Sequence, residues 1–217
     1  MKKLICFDMD NTLVYSDEAH ISAYNEALEK IGLKKKNKIF LKKLFGMPHH
    51  QIAKILLQNA GSKKTREFLN EHHRIFMHKT KIYVKSIPGV KKTLFRLKKD
   101  YDVAVLSNCS KETILATLKS AEINPKLFKI LIGSDQVKKS KPYPDEILKA
   151  EKLEHHKPEF MIGDSIYDVI AGKKAKVKTI AVLTGNYPRN ELKKYNPDFM
   201  INSVNFLPKL LKKINNK

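Results

Sequence analysis

Two hydrophobic patterns divide the chain. Leu4-Ile5-Cys6-Phe7 is a continuous apolar run with a polar turn behind it, which predicts a buried strand. Across residues 17–31 the pattern changes: Ala19, Ile21, Ala23, Tyr24, Ala27, Leu28 and Ile31 recur at helical spacing, and Gly32 supplies a stop. A basic loop over 34–37 leads to further helical patterns at 39–45, 48–60 and 65–79, with Pro48 suited to a first turn and Gly61 to a stop. Nothing between Asp17 and Lys81 has the strand pattern, so a compact helical unit of roughly 65 residues is expected there.

From Ile87-Pro88-Gly89 onward, short apolar runs alternate with helical stretches. Strands are expected at 102–106, 130–132, 160–162, 177–183 and 199–201. Helices are expected at 90–99, 111–121, 144–153, 167–175 and 191–195, with a last one from Val204. Strands that are apolar throughout and separated by helices predict an α/β domain, a parallel sheet covered on both faces. The first strand belongs to that sheet. The expected division is therefore a core of residues 1–14 and 84–217, with a helical unit of residues 15–83 inserted after the first strand. Val14-Tyr15-Ser16 and Val84-Lys85-Ser86 are its expected hinges.

Composition narrows the class. A chain of 217 residues with 42% hydrophobic and 30% charged residues can bury a sizeable core. The first apolar run is too short for a signal peptide, and no stretch approaches the roughly 18 apolar residues of a membrane span. Two cysteines, Cys6 and Cys109, make no disulfide framework, and a reduced, cytoplasmic protein is expected. The net charge of +21 raises nucleic-acid binding as a non-enzymatic reading. Only four of the 43 basic residues are arginine, however, and aromatics interleaved with basic runs are sparse. Solvated lysine faces are expected instead, with neither a specific nucleic-acid partner nor a membrane. Such a field still attracts small anions.

Polar residues gather where the predicted strands end, which is where open α/β sheets bind ligands. Asp8 and Asp10 follow the first strand and Ser107-Asn108 the second. Lys141 comes shortly after the third, and Gly163-Asp164-Ser165 follows the fourth, with Asp168 one helical turn on. Four acids at one sheet edge repel unless a cation sits among them, and an all-oxygen donor set suits Mg²⁺. Each piece alone has a plainer use. Asp10-Asn11 could make a local turn, Ser107-Asn108 a loop, and Asp164 and Asp168 a helix cap. The groups His49-His50, His72-His73 with His78, and His155-His156 lack the i, i+4 spacing with suitable partners of a zinc site, so surface histidines are expected.

Taken in order, Asp8-Met9-Asp10-Asn11-Thr12, Ser107-Asn108, Lys141-Pro142, and Gly163-Asp164-Ser165 with Asp168 resemble the motifs of the haloacid dehalogenase superfamily. Gly46-Met47-Pro48 and the segment from Asp168 to Lys173 fit its phosphoglycolate phosphatase-like branch. The resemblance covers essentially the whole chain. It implies a Rossmann-like parallel sheet with an inserted all-helical (C1-type) cap, and a phosphatase working through an aspartyl phosphate. By that resemblance Asp8 is the nucleophile, and Asp10 protonates the departing oxygen and then activates water. An ordinary Asp pKa of about 3.9 is low for an acid, so the site is expected to favour protonated Asp10 at the moment it delivers the proton. Asp8, the backbone carbonyl of Asp10, and Asp164 would hold Mg²⁺, supported by Asp168. Ser107, Asn108 and Lys141 would bind the phosphoryl group, and His20 would couple closure to Asp10.

Two positions depart from the family's pattern. Asn11 and Lys176 stand where glycine is usual, and asparagine tolerates positive φ. The substrate implied is a small phosphorylated metabolite, 2-phosphoglycolate first, with Lys42 or Lys43 as candidate partners for its carboxylate. Pyrophosphatase and nucleotidase activities are alternatives. A β-phosphoglucomutase-like transferase is another, disfavoured because the loop Phe45-Gly46-Met47-Pro48-His49-His50 carries no arginine. A monomer or homodimer is expected.

Overall fold

The computed structural model describes residues 2–58 and 60–216. The chain begins with β1 (Lys3–Phe7) and β2 (Val14–Tyr15), then α1 (Asp17–Lys30), α2 (Lys38–Lys42), α3 (His49–Leu56) and α4 (Ser62–Tyr83). β3 (Lys85–Ser86), α5 (Val90–Leu97), β4 (Tyr101–Ser107), α6 (Lys111–Ser120), β5 (Ile130–Gly133) and α7 (Asp145–Glu154) follow. β6 (Phe160–Gly163), α8 (Ile166–Lys174), β7 (Lys178–Val182), α9 (Arg189–Lys193), β8 (Phe199–Ile201) and α10 (Leu207–Asn215) complete it.

Six strands form one parallel sheet in the order β5-β4-β1-β6-β7-β8, the α/β architecture the alternation predicts. Alternate residues of β1 supply two cores. Leu4 and Cys6 pack with Ile147, Ala150 and Ala171 of α7 and α8, whereas Ile5 and Phe7 share a cluster with Leu94, Ile114 and Leu211 of α5, α6 and α10. The chain builds outward from β1 to β4 and β5, then returns to β1's other side for β6. The carboxyl end of β1 thus lies at the topological switch point, where a crevice opens.

The expected hinges are more than linkers. β2 and β3 pair antiparallel, Val14 with Ser86 and Tyr15 with Lys85, because the two chain crossings run side by side and satisfy each other's backbone groups. Between them the described residues are helical or irregular. α1 packs chiefly on α4, which runs to Tyr83, beyond the expected end. α2 is capped by Asn37, whose side chain accepts from Phe40 N. α3 stops at Leu56, where Gln58 turns left-handed at φ 51°. Asn59, inside the helix expected at 48–60, lies outside the described residues. Among the described residues, no helix is long and apolar enough to cross a membrane.

Candidate active site

Asp8 leaves β1 with its N–H donating to Ile162 O of β6 at 2.8 Å, which fixes the carboxylate over the switch point. Lys141 reaches it from the loop after β5. Its buried ammonium donates to Asp8 Oδ1 at 2.6 Å, Asp168 Oδ1 at 2.8 Å and Leu106 O at 2.8 Å, which uses all three of its protons. Asp168 closes a capping box on α8, its Oδ2 accepting from Ser165 N at 3.1 Å and Ser165 Oγ at 2.6 Å. Both Asp168 oxygens are thereby engaged. The Thr12 hydroxyl lies 3.4 Å from Asp8 Oδ2 and from Asp164 Oδ1. Two glycines make room for the acids. A Cβ on Gly163 would fall 2.1 Å from Asp168 Cγ, and one on Gly185 would fall 1.7 Å from Asp164 Oδ2.

Carboxylate oxygens of Asp8, Asp164 and Asp168 lie within 4.8 Å of one another. Burial and the neighbouring acids push Asp8 up to about 8 despite the adjacent ammonium, and push Asp164 well above its ordinary range. Burial opposes the charge on Lys141, but Asp168, Asp8 and Glu146 outweigh it and hold its pKa well above the ordinary lysine value. A hard divalent cation fits this set, since it would relieve the repulsion with oxygen donors alone.

Asp10 lines the same pocket. The Ser16 hydroxyl donates to its Oδ1, His20 Nε2 lies 3.7 Å from the same oxygen, and Cys109 Sγ is 3.6 Å from Oδ2. Burial raises the Asp10 pKa, yet the His20 and Ser16 contacts more than offset this and hold it below the ordinary value. In this arrangement the groups around Asp10 are donors, which favour its ionised form. Asn11 adopts the left-handed turn at φ 53°, and Lys176 takes a glycine-like φ of 57° at the end of α8.

The predicted residues Asp8, Asp10, His20, Ser107, Asn108, Lys141 and Asp164 all line one cavity of about 60 Å³, and Asp168 stands behind Lys141. Asn108 is placed differently from expectation. Its amide donates to Gly46 O at 2.9 Å and Lys141 O at 3.1 Å, tying the helical unit to the loop that carries Lys141, so these donors face backbone rather than the cavity. Ser107 Oγ accepts from Cys109 N at 3.2 Å. Lys42 pairs with Asp17 at 2.8 Å and Lys43 is exposed, so neither lines the cavity as a carboxylate partner.

Sequence reasoning missed the roof of the pocket. His72 is buried and His49 partly so, where surface histidines were expected. Their rings pack against His20 and Tyr24 because α1, α3 and α4 converge there, and Tyr24 OH lies 2.5 Å from His49 Nδ1. Thr12 and Ser165 stand inside the quoted motifs and could have been singled out. Nothing in spacing along one helix marks His49 or His72.

Comparison with known proteins gives a consistent result. The family model described as haloacid dehalogenase-like hydrolase matches residues 5–182. A curated relative, pyrophosphatase PpaX of Bacillus mycoides, is 26% identical over 216 residues, covering 97% of each chain. A crystal structure of a predicted phosphatase from Clostridium acetobutylicum superposes with a TM-score of 0.86 at 24% identity, covering 100% of both chains. Another, described as a predicted phosphoglycolate phosphatase from Haemophilus somnus, has a TM-score of 0.86 at 21% identity, covering 97% of this chain and 98% of that one. At those identities the two structures establish the shared fold.

Proposed function

The chain belongs to the haloacid dehalogenase-like hydrolases, and from that premise we propose that it is a Mg²⁺-dependent phosphatase of small phosphate esters that works through an aspartyl phosphate on Asp8. The observation that carries the reading is the meeting of Asp8, Lys141, Asp164 and Asp10 in the lining of one cavity, with Lys141 bonded to Asp8. Asp8 attacks phosphorus, forming the acyl phosphate as the bond to the leaving oxygen breaks, and Asp10 delivers the proton that oxygen needs. Asp10, then ionised, takes a proton from water, which attacks the intermediate and releases inorganic phosphate. The donors around Asp10 favour this second role, and its first requires proton uptake as the phosphate dianion enters. Lys141 holds Asp8 in place and offsets the repulsion between it and the incoming anion.

Asp8 and Asp164, with the backbone carbonyl of Asp10, would hold Mg²⁺, which when bound offsets charge on the phosphoryl oxygens. Asp168, with both oxygens engaged, acts through Lys141 and Ser165 as a positioning residue. Residues 15–83 serve as a cap over a core of 1–14 and 84–217, excluding water during transfer.

The cavity beside Asp8 is lined by polar groups from both the core and the helical unit, among them Asp8, Asp10, His20, Ser107, Lys141 and Asp164. Among the described residues lining it, Lys141 is the one lysine or arginine. That supports hydrolysis of a single phosphoryl group over a mutase that must grip two. 2-Phosphoglycolate is the first substrate to assay. Pyrophosphate is the second reading, favoured by the relatives named as pyrophosphatases. Phosphate release from both, with and without Mg²⁺, tests the proposal. Mg²⁺-dependent turnover that Asp8→Asn abolishes is expected, and full activity in that variant would overturn it.

A further inference from the structure

Above the catalytic carboxylates, three helices each contribute one histidine to a single point. His20 comes from α1, His49 from α3 and His72 from α4, and one ring nitrogen of each lies within 4.8 Å of the others. The ring centroids form a nearly equilateral triangle, 5.4 Å from His20 to His49, 5.7 Å from His20 to His72 and 5.1 Å from His49 to His72. An ion bound by three imidazoles at about 2.0–2.1 Å in tetrahedral geometry sets ring centres about 5 Å apart. The triangle of ring centres has that size already, with the ligand nitrogens within 4.8 Å of one another.

Packing alone does not account for this cluster. Phe45 and Phe76 pack against it, and more phenylalanine would fill the space without burying nitrogen. Instead His20 Nδ1 and His72 Nε2 are buried with no hydrogen-bond partner among the described residues, and both side chains are more than nine-tenths buried. An orphaned buried nitrogen is costly unless something binds it. Burial, with the neighbouring imidazoles, holds His49 and His72 below the ordinary histidine value. Both His49 nitrogens have partners in this structure, Nδ1 the Tyr24 hydroxyl at 2.5 Å and Nε2 Cys109 Sγ at 3.3 Å, and an ion on His49 would displace one of them. A cavity of about 180 Å³, lined by His20, His49, His72 and Thr113 among others, adjoins the cluster.

We propose that His20, His49 and His72 form a second metal site, for a borderline divalent ion of the zinc type, in the helical unit and distinct from the carboxylate site. An all-imidazole donor set selects such ions over Mg²⁺, which prefers oxygen. An ion on His20 Nδ1 leaves the proton on Nε2, which faces Asp10 Oδ1 at 3.7 Å. The arrangement is that of a carboxylate orienting a metal-bound histidine. The ion would staple α1, α3 and α4 together and fix the His20 ring against the catalytic acid.

The test is Zn²⁺ titration of the full, chelator-stripped protein by calorimetry, with Mg²⁺ in large excess to occupy the carboxylates. One Zn²⁺ per chain is expected, with a rise in melting temperature. His72→Phe keeps the ring stack, and it is expected to weaken Zn²⁺ binding at least about tenfold and to abolish the thermal shift. His155→Ala, at an exposed histidine, is expected to change neither. Should His72→Phe fail to fold by circular dichroism, His72→Gln replaces it with the same expectation. Zn²⁺ binding of undiminished strength in the His72 variant would overturn the proposal. So would no binding by the parent protein up to about 100 µM.

Discussion

Lys141 donates to Asp8 Oδ1 at 2.6 Å from a position that is itself almost wholly buried. The same ammonium holds Asp168, so one side chain neutralises two acids of a crowded site. Lys141→Met fills the space and removes the charge. Breaking a buried pair on one side costs about 3–5 kcal/mol, because the acids left behind are uncompensated. Loss of about that much stability at pH 7 in urea denaturation is expected, with phosphate release down at least about 100-fold. Lys141→Arg is not expected to rescue, since a planar fork cannot aim at three converging acceptors.

Glu146, on α7, is fully buried, and both its carboxylate oxygens lack a hydrogen-bond partner among the described residues. Burial raises its pKa to about 7, against the pull of Lys141. The folded state therefore keeps a proton that the unfolded chain gives up near pH 4. Its contribution to stability is complete at low pH and is lost as pH rises from about 4 to about 7. Glu146→Gln does not titrate. The variant should match the parent protein near pH 4 and exceed it by up to about 3 kcal/mol at pH 8, read from denaturation midpoints across that range. Equal pH profiles would show that Glu146 is ionised in the folded protein.

The placing of Asp8, Asp10, Asp164 and Lys141 at one sheet edge was legible because each follows a short apolar run, and a parallel sheet brings strand ends together. The roof was not. His20, His49 and His72 stand on three helices, and helical periodicity reports only which residues share a face of one helix. Their meeting depends on how α1, α3 and α4 cross. Glu146 was hidden for the opposite reason: it lies at a position that reads as polar and exposed, and only the packing of α7 on the sheet buries it. The β2–β3 ribbon was hidden by length, since two residues carry no pattern.

Asn108 links two parts of the pocket through one amide group, donating to Gly46 O in the helical unit and to Lys141 O in the loop after β5. Asn108→Ala removes both bonds, each worth about 1 kcal/mol. The Gly46 loop should then open more readily. Faster amide hydrogen exchange across residues 45–49 and a KM raised by about five- to thirtyfold are expected, with kcat changed less. A fall in kcat at constant KM would instead mean that Asn108 stabilises the transferring phosphoryl group directly.

Gly185 offers the sharpest test of the role proposed for Asp164. A Cβ at this position would lie 1.7 Å from Asp164 Oδ2 and 2.4 Å from its Cγ, so Gly185→Ala cannot leave the carboxylate where it is. Asp8 and Lys141 are untouched by that change, and the covalent chemistry stays available. If Asp164 is a metal ligand, displacing it weakens the ion's hold while leaving the nucleophile intact. The Mg²⁺ concentration for half-maximal phosphate release should then rise about 10–100-fold, with activity partly restored at saturating Mg²⁺. An unchanged Mg²⁺ dependence, in a variant that folds normally, would remove Asp164 from the metal shell and leave Asp8 and the Asp10 carbonyl to hold the ion.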